Sequence, residues 1–451
     1  MTKGDTDLPK AALSRRGAEI AARLERLPPS RFNWIVLSVG ALAFLVEAMD
    51  TSIIAAVVKP IQTSLGLTPA QVGSLSVAAI FTTVIGVLLV GPLADKFGRK
   101  RMLVVGIIIA EIFTMLTFFA SDFRTFMAFR LITGFGLGFI FPVTLTFVAE
   151  FVGSKERGYF TGLCNSVLGL GYFLSLLIGA VIVPRYGYHA TFLVPGLLLL
   201  AIPYVITAMP ESPRWLAAHG KIEEAEKIVA GIEAKVQAWT GSPLPPPKVA
   251  VVPEQTGRIR DLFSKSYLRT TLVLWLMFSM TFVVFYTRLL YMPLILTQNG
   301  INLKSSLLLA SVMNAVAIPG NIAGGLLMNI IGRRWTVAIY GALTGVFALA
   351  FATTSTPLLL FIFGCGIFWF DTFAAQKMMI NESYSTAVRA TGASSAEFVA
   401  RSIGGILWAW SVPSLLVLWG PHLLFVVIGI AALILIPFAG LAARETKGQV
   451  L

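Results

Sequence analysis

Twelve runs of about 20 or more mostly apolar residues, separated by short polar loops, constrain this chain more than any other feature. Runs of that length cross a bilayer as helices, because a helix satisfies its own backbone groups where no water can. They cover roughly 33–56, 71–94, 102–121, 124–147, 159–182, 189–209, 269–296, 306–330, 335–354, 357–383, 392–416 and 420–442. Composition agrees, with 56% of the 451 residues hydrophobic and 13% charged, about half the charged share of a soluble domain. The expected fold class is an all-α integral membrane protein.

The net charge of +13 could point to nucleic acid, but its placement argues otherwise. Of 35 Lys and Arg residues, 27 fall in the tails and loops on one side of the twelve runs and four on the other. Basic residues resist crossing a membrane, so the rich side, with both termini, is expected in the cytoplasm. No cleavable leader is evident ahead of the first run, which is expected to stay as its own anchor. Both cysteines, Cys164 and Cys365, lie inside runs, so no disulfide framework is expected.

The first basic loop reads Gly91-Pro-Leu-Ala-Asp95-Lys-Phe-Gly98-Arg99-Lys100-Arg101. Gly91 suits a close helix contact and Gly98 a tight reversal. Asp95 could accept from the free amides that open the next helix. A degenerate copy, Gly325 to Arg334, sets Asn329 234 positions after Asp95. Glu150 with Arg157 is echoed by Glu382 with Arg389, 232 positions later. Two motif pairs at nearly one offset argue for duplicated six-helix halves.

Ionisable groups inside the runs are functional candidates, since each costs about 2.5–3.5 kcal/mol at a helix centre on insertion scales. Asp50 and Arg130 can meet at similar depth. A bound molecule or conformational change that separates them would favour protonation of the carboxylate, and Glu47, one turn from Asp50, could share the proton. A permanent structural ion pair is the alternative. Arg401 offers a fork of donors suited to a carboxylate, with Asp371 or Glu397 as alternative partners. Arg288 lies between Tyr286 and Tyr291, an arrangement suited to an aromatic acid, or to gating near the outer surface. Lys377 and Asn165 could line the same cavity. Glu111 has no evident partner. His189, His219 and His422 fall at helix ends or in the central loop and form no relay. Because no metal-ligand spacing, nucleotide loop or nucleophile–base set stands out, neither enzyme activity nor a metal or cofactor is expected.

The loop motif, its second copy, twelve spans and a long central loop resemble the major facilitator superfamily, over essentially the whole chain. Pro210–Leu216 (PESPRWL) and Glu445-Thr-Lys-Gly448 resemble marks of its sugar porters and organic-ion transporters. The seventh run, Phe278 to Arg288, lacks the Gln pair usual in sugar porters, and 159–182 lacks the Gly-Pro pattern of drug/proton antiporters. The resemblance is greatest to bacterial organic-acid and nicotinate-type proton symporters. It implies twelve helices in two pseudo-symmetric six-helix halves, the major facilitator fold, working by alternating access. The expected divisions are a tail (1–32), an N-terminal bundle (33–209), a cytoplasmic linker with short helices (210–268), a C-terminal bundle (269–442) and a tail (443–451).

The implied function is uptake of a small, aromatic organic carboxylate with a proton across the bacterial inner membrane, by a monomer that binds no nucleic acid. In that reading Asp50, Arg130 and Glu47 couple protons. Arg401, Arg288, Tyr286, Tyr291, Asp371, Lys377 and Asn165 hold substrate. Gly91, Asp95, Gly98, Arg99, Glu150, Arg157, Glu382 and Arg389 latch the inner side. An organic-cation carrier, a sugar symporter and a transporter-like nutrient sensor stay open as alternatives.

Overall fold

The computed structural model describes residues 10–247, 259–385, 388–443 and 445, without the side chains of residues 10–15, 154, 155, 157, 158 and 374. Helix α1 (Lys10–Glu25) precedes six crossings: α2 (Arg31–Leu65), α3 (Pro69–Phe97), α4 (Arg99–Leu116), α5 (Phe123–Phe151), α6 (Ser154–Tyr186) and α7 (His189–Ala208). Two linker helices follow, α8 (Pro213–Ala218) and α9 (Ile222–Thr240). The second half holds α10 (Leu268–Gln298), α11 (Leu303–Ile331), α12 (Arg333–Ala352), α13 (Pro357–Trp369) and α14 (Phe373–Glu382). It ends with α15 (Arg389–Ala400), a π-helical stretch (Arg401–Trp408) and α16 (Ala409–Ala442).

Among the described residues, ten helices are long and apolar enough to cross a membrane. The last of them, Arg389–Ala442, makes two crossings because Gly420 breaks it with φ +70°. Residues 421–442 then return antiparallel to α12, with His422 bonded to the Ala352 carbonyl and Gly440 beside Val337. The tenth crossing is split into α13 and α14, which brings the total to twelve. Sequence reasoning expected one continuous helix over 357–383, and the structure interrupts it at 370–372. It also expected a regular helix at 189–209, where α7 alternates 3-10 and α turns.

Local chemistry starts these helices where they start. Ser30 with Asn33, and Thr68 with Gln71, form reciprocal caps for α2 and α3, while Asp122 accepts from the Arg124 and Thr125 amides to open α5. Glycines then let α3, α4 and α5 approach until backbones touch. A Cβ on Gly134 would lie 2.0 Å from the Ala79 carbonyl oxygen, and one on Gly136 would lie 2.7 Å from the Ala110 amide. Gly134→Ala is therefore expected to cost about 3 kcal/mol by overpacking, lowering the melting temperature in detergent. Gly162→Ala, with nothing within 4 Å of the new methyl, should leave the melting temperature unchanged or raise it.

The two halves meet on the face away from the basic loops. There the ends of α2, α3 and α6, from Ile53, Val72 and Leu176, share one apolar core with Leu290, Leu307 and Val412 of the second half. Toward the basic face the first half keeps a separate core, built from α2, α4 and α5 and closed by Trp215, Leu216 and Val229 of the linker. The molecule is thus joined on one face and parted on the basic one. Gly91, expected at a close helix contact, faces open space for this reason.

The described segment ahead of the first crossing is a packed helix. Helix α1 lies on the linker, where Glu233 takes Arg23 and Arg26 at 2.5–3.0 Å and Arg26 also donates to the Pro245 carbonyl. Burial alone would raise the Glu233 carboxyl, but the hydrogen bonds from the two arginines hold it below the usual carboxylate range.

Candidate substrate and proton sites

One ionisable cluster is sealed inside the first half. Asp50 on α2, Glu111 on α4 and Arg130 on α5 are at most 1% exposed. Thr114 donates to Asp50 Oδ1 at 2.7 Å and lies 3.4 Å from Thr133, which fixes the level at which α2, α4 and α5 meet. Arg130 donates to the Asp50 main-chain carbonyl at 2.8 Å, whereas the sequence suggested a direct carboxylate pair. Asp50 Oδ2, both Glu111 oxygens, and Arg130 Nε and Nη1 lack hydrogen-bond partners. Glu111, left without a partner by the sequence, lies within electrostatic reach of Asp50 and Arg130. Two carboxylates thus share one guanidinium. No pattern along the chain could show this, because the cluster crosses three helices.

A second cluster lies between the halves. Glu397 on α15 takes Arg401 through Oε1 at 3.0 Å and Lys377 of α14 through Oε2 at 3.3 Å. Lys377 also sits over the rings of Phe141, 4.8 Å from the centroid, and Phe373, at 5.4 Å. Phe141 belongs to the first half and stacks on Phe44. Tyr172 of the first half meets Phe285 of the second, which stacks on Phe373. Glu47, its Oε2 without a hydrogen bond, lies within electrostatic reach of Arg401, Glu397 and Lys377. Two cations, two carboxylates and a wall of aromatic rings therefore face the same inter-half space.

Arg401 opens the π-helical stretch, and such a widened turn re-aims side chains at functional sites. Here it seats Gly404 against Phe282 and Gly405 against the Tyr286 ring, where a Cβ would come within 2.6 Å of each. Trp408 Nε1 then donates to the Thr287 hydroxyl at 2.8 Å, fixing the stretch against α10. Tyr286 is thereby a packing surface beside the cluster, within electrostatic reach of Arg401.

The remaining expected substrate residues are engaged in other bonds, Arg288 next to the aromatic wall with its guanidinium 5.4 Å from the Phe285 ring centroid. Arg288 is bonded to Asp371, donates to the Phe368 carbonyl, and sits over the Phe368 ring at 4.5 Å. Asp371 occupies the break between α13 and α14, where its Oδ1 accepts from the Phe373 amide. The break turns Asp371 toward α10, so it partners Arg288 and leaves Arg401 to Glu397. Tyr291 donates to the Ala409 carbonyl at 2.7 Å and is fully buried. Asn165 donates to the Thr161 carbonyl one turn back on its own helix.

On the basic face Asp95, Arg99, Glu150 and Glu382 of the expected latch meet charges of their own halves. Arg99 pairs with Asp95 at 3.1 Å and lies 3.8 Å from Glu150. The carboxylate that caps α4 is Glu211 of the PESPRWL segment, accepting from the Arg99 and Lys100 amides at 2.9 and 3.1 Å. Asp95, expected in that role, sits in the last turn of α3 with its side chain exposed. The second half repeats the device: Glu445 accepts from the Arg333 and Arg334 amides, and Arg333 grips Glu382 through both oxygens. Gly98 and Gly332, both at positive φ, bring each carboxylate against the backbone where a Cβ would intrude. Glu211 and Glu445 are 234 positions apart, the same offset as Asp95 and Asn329. That periodicity was available in the sequence as a signal for their shared role. Glu382 and Arg389 were expected to pair in the outward-open state and to part when the inner side opens; here Arg389 Nε and Nη2 are buried without a hydrogen bond. The Arg157 side chain and residues 446–448 lie outside the described residues.

Comparisons with known proteins agree with this architecture. The niacin transporter NiaP of Acinetobacter baylyi is 29% identical over 438 residues, covering 96% of this chain and 99% of that one. The 4-hydroxybenzoate transporter PcaK of the same organism is 27% identical, covering 88% of each. A crystal structure of a D-xylose-proton symporter superposes with a TM-score of 0.73 over 93% of this chain and 99% of that chain, at 19% identity, a likeness of fold. The family model described as Major Facilitator Superfamily matches residues 40–409. With twelve crossings in two repeated halves and a charged cluster between them, the chain belongs to the Major Facilitator Superfamily and is a transporter, not an enzyme.

Proposed function

We propose that this protein takes up a small aromatic monocarboxylate together with a proton across a bacterial inner membrane, acting as a monomer with both termini cytoplasmic. The observation that carries this reading is the Lys377–Glu397–Arg401 cluster set among Phe141, Phe373, Phe285 and Tyr172 between the halves. Two cations suit a carboxylate, and flanking rings suit a flat aromatic body. The similar proteins named for niacin and 4-hydroxybenzoate support that substrate class. The basic loops support a cytoplasmic position for the parted face, and on that reading the structure corresponds to the inward-facing state of an alternating-access cycle.

Energetics favour a proton as co-substrate. A monoanion entering a cell that is negative inside opposes about 2.3 kcal/mol per 100 mV. One proton cancels the charge and leaves the pH gradient as the drive. With Lys377 and Arg401 balanced by Glu397 and Glu47, the empty cluster has no spare positive charge, so an added carboxylate calls for one proton. Asp50, Glu111 and Arg130 form a second store for it.

The test is labelled nicotinate or benzoate flux in proteoliposomes. Accumulation should require an external pH below the internal one, and unlabelled aromatic carboxylates should compete. Competition by a quaternary amine or a hexose instead of by carboxylates would overturn the substrate class. Accumulation indifferent to the pH gradient would overturn the coupling.

A further inference from the structure

We infer that Glu397 is the substrate's stand-in: in the empty carrier its carboxylate fills the position that a bound carboxylate takes between Lys377 and Arg401. This inference rests on the carboxylate reading above and assigns the site an internal competitor.

The geometry is that of a bridging carboxylate. One oxygen of Glu397 meets the Arg401 guanidinium at 3.0 Å and the other meets the Lys377 ammonium at 3.3 Å. The two cations come from different segments, α14 and the start of the π-helical stretch, so the bridge does not merely staple one helix. A second arginine–carboxylate pair in the same half differs in kind. Arg288 and Asp371 are 5% and 6% exposed, and both are also tied to main-chain groups. Arg401, Glu397 and Lys377 are 18%, 23% and 29% exposed, and among the described residues their charged groups bond to side chains rather than to the main chain. The first pair is built into the fold; the second bridge can be exchanged.

Exchange follows from charge balance. An incoming carboxylate finds both cations already satisfied, so it gains them only by displacing Glu397. Displacement needs a rotation of one side chain lying one turn before Arg401, and the adjoining π turn is a loosened stretch of helix. The stand-in also serves the other leg of the cycle. An empty carrier must close its halves around the site to return, and closing over Lys377 and Arg401 with a counter-charge missing in a low-dielectric space is strongly unfavourable. Glu397 pairs them when substrate is absent. The loaded carrier needs no such help, because the substrate does the pairing.

Glu397→Gln keeps the shape and removes the competing charge. In proteoliposomes holding the full-length protein, we expect it to bind benzoate at least fivefold more tightly than the parent. Exchange of external labelled benzoate for internal unlabelled benzoate should fall much less than net uptake, since that cycle never moves the empty carrier from one open state to the other. Net uptake into benzoate-free vesicles should fall at least tenfold. Glu397→Asp, which keeps the charge on a shorter arm, should restore part of the net uptake. Unchanged or weaker binding, or net uptake and exchange falling together, would overturn the inference. If Glu397→Gln does not fold, Glu397→Asp decides alone, with tighter binding and slowed net uptake expected and parental values overturning the idea. Should the parent bind neither benzoate nor nicotinate, the carboxylate reading fails first; binding by the parent with no gain in Glu397→Gln removes only the stand-in.

Discussion

Arg401→Ala should lower the affinity for an aromatic carboxylate roughly a hundredfold, about 3 kcal/mol, within the range for truncating one partner of a buried charge pair. Arg401 presents a planar fork to the inter-half space, whereas Arg288 is committed to Asp371. Its removal leaves Glu397 paired with Lys377 alone, which neutralises the remaining cation and gives an incoming anion little reason to bind. Arg401→Lys should recover part of the loss, because a point charge replaces the fork without its two-pronged geometry. Equilibrium binding of labelled benzoate to purified protein measures both. An affinity unchanged in Arg401→Ala would move the substrate site away from this cluster.

The second large effect is expected at Asp50. A one-unit pH gradient is worth about 1.4 kcal/mol per proton, so the parent should accumulate a monocarboxylate about tenfold with one proton. Asp50→Asn reduces the sealed cluster to Glu111 and Arg130, a balanced pair with no proton to carry. Accumulation should then fall to simple equilibration, an internal-to-external ratio of about one, while exchange continues. Glu111→Gln should move the pH profile of uptake, since it removes one of the two carboxylates that share Arg130. A profile identical to the parent's would take Glu111 out of the coupling, and full accumulation by Asp50→Asn would take out the whole cluster.

Much of this architecture was legible along the chain. Run length set the helices, loop charges set the sidedness to be tested, and the 234-residue offset exposed the duplication, because each of these is a local or periodic property. Pro210–Leu216 and Glu445 were visible as motifs, but their shared task was not. That task depends on Gly98 and Gly332 bringing two helix starts against carboxylates more than a hundred residues away.

Which charge meets which is a different kind of question. Asp371 and Glu397 were equal candidates for Arg401 until a break at 370–372 turned one toward Arg288 and a π-helical stretch held the other beside Lys377. Glu111 had no evident neighbouring charge until three helices packed it within electrostatic reach of Asp50 and Arg130. Hydropathy is a property of each segment by itself, whereas an ion pair depends on the rotation, depth and interruption of several segments at once. The sequence alone therefore determined that this chain crosses a membrane twelve times in two repeated halves. Only the packing of those helices decided which buried charges compensate one another and which remain for a passing anion.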